Sequence, residues 1–305
     1  MIFKTPKNIN FFNLYKRMNI FSLILVTLSI IVISFKGLNF GVDFKGGTLI
    51  ELRTENKNVI ISEIRQSLIK MQLGDISVKR FGSQNDYLIK IQSSEKNNEN
   101  FIEIIKNSLS ADLGSAINFR RVENVGPKVS AELLQDGLLA ITLSLAAMLV
   151  YIWIRFEWQF SLGAIIALVH DIIITVGLFS FLFYEINLSI IAAVLTIVGY
   201  SMNDTVVIFD RIRENLKKYT KLPILDISNN STNQTLSRTL ITSITTLLAL
   251  FSIYFFGGAI LKGFSFAMIV GVIVGTYSSI FVATPILNYT KVTSKTVLKE
   301  EENLN

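Results

Sequence analysis

Hydrophobic and polar positions along the chain fall into two regimes. In six stretches, residues 18–36, 137–155, 160–183, 187–209, 237–257 and 263–289, apolar side chains run almost unbroken. Each is about the 20 residues an α-helix needs to cross a ~30 Å hydrocarbon layer. Between the first two stretches, residues 37–136 have ordinary polarity and shorter periods. They read as strand Thr48–Arg53, an amphipathic helix with apolar Ile60, Ile64, Leu68 and Met71, strand Ile76–Phe81, strand Tyr87–Gln92, a helix with Phe101, Ile105 and Leu109, and strand Ala116–Val122. The order βαββαβ predicts a ferredoxin-like α+β domain with both helices on one face of the sheet. Gly126-Pro127 then opens a helix expected to run through Ala131 and Leu134 into the second span, since proline suits a first helical turn. The expected fold class is a polytopic α-helical membrane protein: six transmembrane helices with a ferredoxin-like domain between helices 1 and 2.

Composition narrows the chemistry. Apolar residues make up 50% of the chain and charged residues 17%, against about 25% charged in a typical soluble domain, which excludes a fully soluble protein. With no cysteine, disulfides, thiolate-bound metals and thiol nucleophiles are excluded, and a single histidine removes multi-histidine metal sites. The net charge of +6 is spread through tails and connections rather than gathered with aromatics, so nucleic-acid binding is not expected. The basic residues serve better as topology markers. Lys4, Lys7, Lys16 and Arg17 place the tail 1–17 inside, as Arg211, Arg213, Lys217, Lys218 and Lys221 do for the connection 210–236, and Lys291, Lys295 and Lys299 for the tail 290–305. Residues 37–136 then lie outside. Ser34-Phe35-Lys36 offers no small-x-small cleavage site, so the first span reads as an uncleaved anchor.

An ionisable residue inside a span costs about 2.5–3.5 kcal/mol on insertion scales and is a functional candidate by default. Asp171 lies near the middle of the third span beside His170. Asp204 follows Asn203 in the fourth, and Arg238 begins the fifth. Antiparallel neighbours would bring Asp204 and Arg238 within reach of one long side chain, and Thr242, Thr245 and Thr246 continue the Arg238 face at helical spacing. Simpler readings stay open. Arg238 could snorkel to the surface, the threonines could bond back to their own helix, and Asp171 could be a carboxyl bonded to a neighbouring helix. Gly271 and Gly275 form a small-x-x-x-small packing motif. Neither a phosphate-binding G-x-x-x-x-G-K-[ST] loop nor H-E-x-x-H nor G-x-S-x-G occurs, so neither an enzyme nor a cofactor is expected.

The runs Phe40–Thr48, Val125-Gly126-Pro127, Val169-His170-Asp171, Val198–Asn215 and Ser237–Ser243 together resemble the SecD/SecF family of bacterial protein-export membrane proteins, on its SecF side. The likeness extends over nearly the whole chain in the right order. It implies the resistance-nodulation-division superfamily, in which six spans form half of a pseudo-symmetric twelve-span unit and SecD supplies the other half. It also implies association with the SecYEG channel and often YajC, and use of the proton-motive force to draw a preprotein outward after SecA has begun its export. On the matching positions Asp204, Arg238 and Asp171 would couple protons, supported by Asn203, Thr242 and His170. The Phe40–Thr48 run would pack and hinge the external domain, with Asp43 and Lys45 solvated or paired. Two other functions compete. One is a structural or assembly subunit that conducts no protons. The other is a drug or lipid exporter of the same superfamily, for which about a hundred external residues look too few.

Overall fold

The computed structural model describes residues 9–56, 59–80, 84–91 and 101–297. The chain begins with α1 (Phe12–Lys36), β1 (Asn39–Phe40), the short α2 (Val42–Lys45) and β2 (Gly47–Thr54). It continues through α3 (Ile61–Lys70), β3 (Ile76–Arg80), β4 (Asp86–Ile91), α4 (Phe101–Leu113) and β5 (Ile117–Val125). Then come α5 (Pro127–Arg155), α6 (Trp158–Leu182), β6 (Glu185–Ile186), α7 (Leu188–Lys218), α8 (Ile224–Phe256) and α9 (Gly258–Ser278). A π-helical turn, Ser279–Ala283, joins α9 to α10 (Thr284–Tyr289). The basic residues Lys4, Lys7 and Lys299, and the strand ends expected at Phe81 and Gln92, lie outside the described residues.

The chain divides into two compact units. One contains Phe40–Leu138 and Glu185–Leu188. Its sheet has the strand order β3-β4-β2-β5 with antiparallel neighbours, the arrangement expected of a split βαββαβ unit. β2 runs through the middle and is buried on both faces except at Arg53. Its Ile50 and Leu52 meet Ile64 and Leu68 of α3, Ile105 and Leu109 of α4, and Tyr87, Ile89 and Ile91 of β4. Each such buried aliphatic contributes about 1.5–3 kcal/mol. The Tyr87 hydroxyl satisfies itself on the Val59 carbonyl at 2.5 Å. At the entry to β2, Gly46 and Gly47 have φ of +76° and +130°, the turn their sequence suggests. α2 is an addition to the expected element list, a single helical turn between Gly41 and Gly46.

The other unit contains Met1–Asn39, Leu139–Tyr184 and Ser189–Asn305. Among the described residues, six helices are long and apolar enough to cross a membrane, by length and composition. α6, α7 and the α9–α10 helix form the interior, while α1, α5 and α8 leave many apolar side chains exposed, as a lipid-facing ring does. Small residues allow the closest approaches. A Cβ on Gly271 would sit 2.3 Å from Ile197 Cγ1, one on Gly275 2.9 Å from Ser201 Cβ, and one on Gly177 2.3 Å from Ser29 Cβ. An aromatic cluster of Phe156, Phe160 and Phe209 fills one end, with ring centroids 5.1–6.2 Å apart.

The expected connection 210–236 is mostly helix. α7 runs on to Lys218 and α8 starts at Ile224. Charges end a hydrophobic window without ending a helix, and these turns are amphipathic: Ile212, Leu216, Ile227 and Leu236 are buried. Polar groups pair opposite them, Asn215 Nδ2 donating to Ser231 Oγ at 2.8 Å and to Gln234 Oε1 at 3.0 Å. The same end holds the Arg155–Asp210 pair at 2.8 Å and Arg213 against buried Glu157 at 3.2 Å.

Candidate functional site

Asp171 is wholly buried on α6, and its carboxylate is fully engaged. Oδ2 accepts from Ser201 Oγ of α7 at 2.6 Å and from Ser278 Oγ, at the end of α9, at 2.8 Å. Oδ1 lies 2.9 Å from Nδ1 of the adjacent His170. The acid thus ties the three interior helices together. Around it the network continues. Thr205 Oγ1 and Ser279 Oγ are 2.8 Å apart, and Ser279 Oγ donates to the Gly275 carbonyl at 2.9 Å. Ser278 and Ser279 lie where α9 passes into the π-turn, and as adjacent positions they point about 100° apart, toward different partners. His170 is 4% exposed and stacks on Tyr277 with centroids 6.2 Å apart, and among the described residues its Nε2 has no hydrogen-bond partner.

Asp204 is placed differently. Its helix buries it to 2% exposure, yet Oδ2 finds no hydrogen-bond partner among the described residues. Ser243 of α8 and the Arg238 guanidinium are the groups that act on it. The expected close pair is absent: among the described residues no ion pair within 4.0 Å joins Asp204 to Arg238. Arg238 is exposed, as is Asn203, and both line a cleft of about 400 Å³ with Tyr151, Met202 and Asp210. Adjacent positions on a helix point about 100° apart, so Asn203 faces an exposed side while Asp204 is buried. Thr242 donates to the Arg238 carbonyl at 3.1 Å and Thr245 to the Ile241 carbonyl at 2.8 Å, the back-bonding alternative.

Ser201, Ser278, Ser279 and Ser243 escape sequence reasoning. Serines are unremarkable in spans, and only the helix packing reveals which of them face an acid. Gly275, one residue type in the expected packing motif, is the nearest signal: it brings α9 against Ser201 and thereby Ser278 onto Asp171.

Among the described residues, six helices long and apolar enough to cross a membrane, interrupted by an α+β unit and with buried carboxyls where they meet, define a multi-pass membrane protein. The family described as protein export membrane protein SecD/SecF, C-terminal, matches residues 105–293, and the SecD/SecF GG motif matches residues 31–57. The protein translocase subunit SecF of Rickettsia bellii is 47% identical over 279 residues, 91% of this chain and 92% of that relative. Those of Desulfurispirillum indicum and Vibrio alginolyticus are 46% and 45% identical, over 88% and 93% of this chain and 87% and 90% of their own lengths. The solved structure of SecDF, a translocon-associated membrane protein from Thermus thermophilus, superposes with a TM-score of 0.86 at 34% identity over 95% of this chain. SecDF in a super-membrane-facing form gives 0.71 at 35% identity over 99%. This chain spans 40% and 41% of those two SecDF chains. The chain belongs to the SecD/SecF family of protein export membrane proteins, as a SecF subunit of the protein translocase.

Proposed function

We propose that this subunit, joined to a SecD partner, uses the proton-motive force to promote preprotein translocation across the bacterial inner membrane, with Asp204 as the acid that takes up and releases the proton. The observation that carries this reading is the setting of Asp204: buried in a membrane helix, with one oxygen unpartnered and its cation more than 4.0 Å away. A carboxylate left so is costly in a low-dielectric interior, and a neutral acid is not. The arrangement therefore suits the protonated half of a cycle. Deprotonation would favour closure onto Arg238, and neutralisation would release it, repacking α7 against α8.

One inward charge moving through about 150 mV supplies roughly 3.5 kcal/mol, at ~2.3 kcal/mol per 100 mV, enough to bias a two-state movement. The likeness to two SecDF structures, one of them in a form distinguished as super-membrane-facing, supports a unit with more than one arrangement. Asn203, Arg238 and Thr242 would line the proton's route, and Asp171 with His170 would hold the helices in register around it. SecYEG, YajC and preprotein delivered by SecA are the remaining partners. The amino and carboxyl tails face the cytoplasm and the α+β unit faces outward.

The separation of Asp204 from Arg238 also favours a second reading, an assembly subunit that stabilises SecD and the channel without passing protons. Vesicles carrying the complex under an imposed proton gradient separate the two. Asp204→Asn is expected to lower export to its rate without a gradient, and Arg238→Lys to impair it, because a point charge does not reproduce a planar fork. Undiminished export by Asp204→Asn at equal abundance leaves only the assembly role.

A further inference from the structure

The sequence reading leaves Asp43 with nothing to do, as a solvated or paired acid beside two glycines. The structure gives it a partner 145 positions away: Asp43 Oδ2 accepts from the Leu188 backbone N–H at 2.9 Å. Leu188 is the first residue of α7, so Asp43 satisfies one of the four amides that a helix start leaves unpaired, and places a negative charge at the positive end of the helix dipole.

Three further contacts fix the same segment. The Gly41 N–H donates to the Ile186 carbonyl at 2.8 Å. Glu185 pairs with Lys90 of β4. Ile186 is buried. Gly41 has an ordinary φ of −76°, and a Cβ there would lie 3.3 Å from the Ile186 carbonyl oxygen, a tight approach of the turn to that segment. The same turn holds the start of α5, with Ser130 Oγ donating to the Val42 carbonyl at 3.3 Å and Gly46 against Pro127. All of these residues belong to the α+β unit. α7 then continues unbroken from Leu188 to Asp204, about 24 Å of helix at 1.5 Å per residue.

We infer that Asp43 is a positioning residue for Asp204: by accepting from the first amide of α7 it holds the start of the helix that carries the acid. This rests on the reading of Asp204 as the titrating group. The contact explains why an acid stands in the turn between Gly41 and Gly46.

The test uses the full chain with its SecD partner in vesicles, comparing Asp43→Ala with Asp43→Asn, since asparagine caps a helix about as well as aspartate and alanine does not. Amide exchange measured by mass spectrometry over the first turn of α7 is expected to rise about fivefold in Asp43→Ala and to stay near the parent rate in Asp43→Asn. Gradient-driven export is expected to fall at least threefold in Asp43→Ala and to be largely retained in Asp43→Asn, at equal abundance of assembled complex. Unchanged exchange in Asp43→Ala, or raised exchange with export intact, overturns the inference. Undiminished export by Asp204→Asn fails the titration reading alone and leaves the exchange result standing.

Discussion

The surroundings of the two intramembrane acids differ as a finished joint differs from a loaded one. Asp171 receives two hydroxyl donors from two other helices and sits against an imidazole nitrogen, so both of its oxygens are engaged. Asp204 is nearly as buried, but one oxygen has no partner among the described residues, and its cation stands on an exposed face. Burial alone therefore does not identify a switch. A fully bonded acid favours one packing, whereas an acid short of a partner makes a second packing competitive, as the cost of an unsatisfied buried group requires.

The contrast is open to attack by substitution, and the largest effect is expected at the joint. Asp171→Ala deprives Ser201 of its acceptor and removes the tie between α6, α7 and α9. It should cost about 2–3 kcal/mol, seen as a lower denaturation temperature in detergent and less assembled complex. Asp204→Asn should leave stability in the same melt within about 1 kcal/mol of the parent while export fails. Equal destabilisation by both would erase the distinction between the two acids.

Next in size is Gly271→Val. The new side chain meets Ile197 far inside contact distance, so about 1–3 kcal/mol of overpacking is expected in the same melt. Ser278→Ala should cost about 1 kcal/mol and spare export, since Ser201 still serves Asp171.

The smallest effect concerns a carboxyl outside the membrane helices. Glu51, on β2, is pushed above the usual carboxylate range by desolvation, with Arg121 opposing. A raised folded value means that ionisation costs stability, so stability falls as the pH rises through that value. Glu51→Gln should slow amide exchange in β2 at neutral pH, and the difference should vanish in acid below the ordinary range. A Glu51 carboxylate that instead stabilised the unit at neutral pH would place it with Asp171 as a well-bonded acid.

Much of this was legible in the sequence because lipid solvent imposes a coarse rule. Runs of about 20 apolar residues announce spans, and an acid such as Asp171 or Asp204 within one stands out by its cost. The βαββαβ order was legible for the same kind of reason, as a change of period. The continuation of α7 and α8 past their apolar runs was not, since hydropathy stops at Arg211 although the helix does not. Nor were the partners of the acids. Ser201 and Ser278 are chosen by helix rotation within a few ångströms, and the Asp43–Leu188 bond joins residues whose separation along the chain carries no local signal.

The π-turn at Ser279–Ala283 has one more implication. An α-helix advances 100° per residue, so the wider loop offsets everything beyond it by roughly one position. Ala283, the last residue of the turn, and Leu287 beyond it are both buried in the core. Excising a single residue there would let the span close as ordinary α-helix with Leu287 still turned inward, whereas forcing α-helical geometry with the residue kept would swing everything beyond it by about 100°, like a screw cut to the wrong thread.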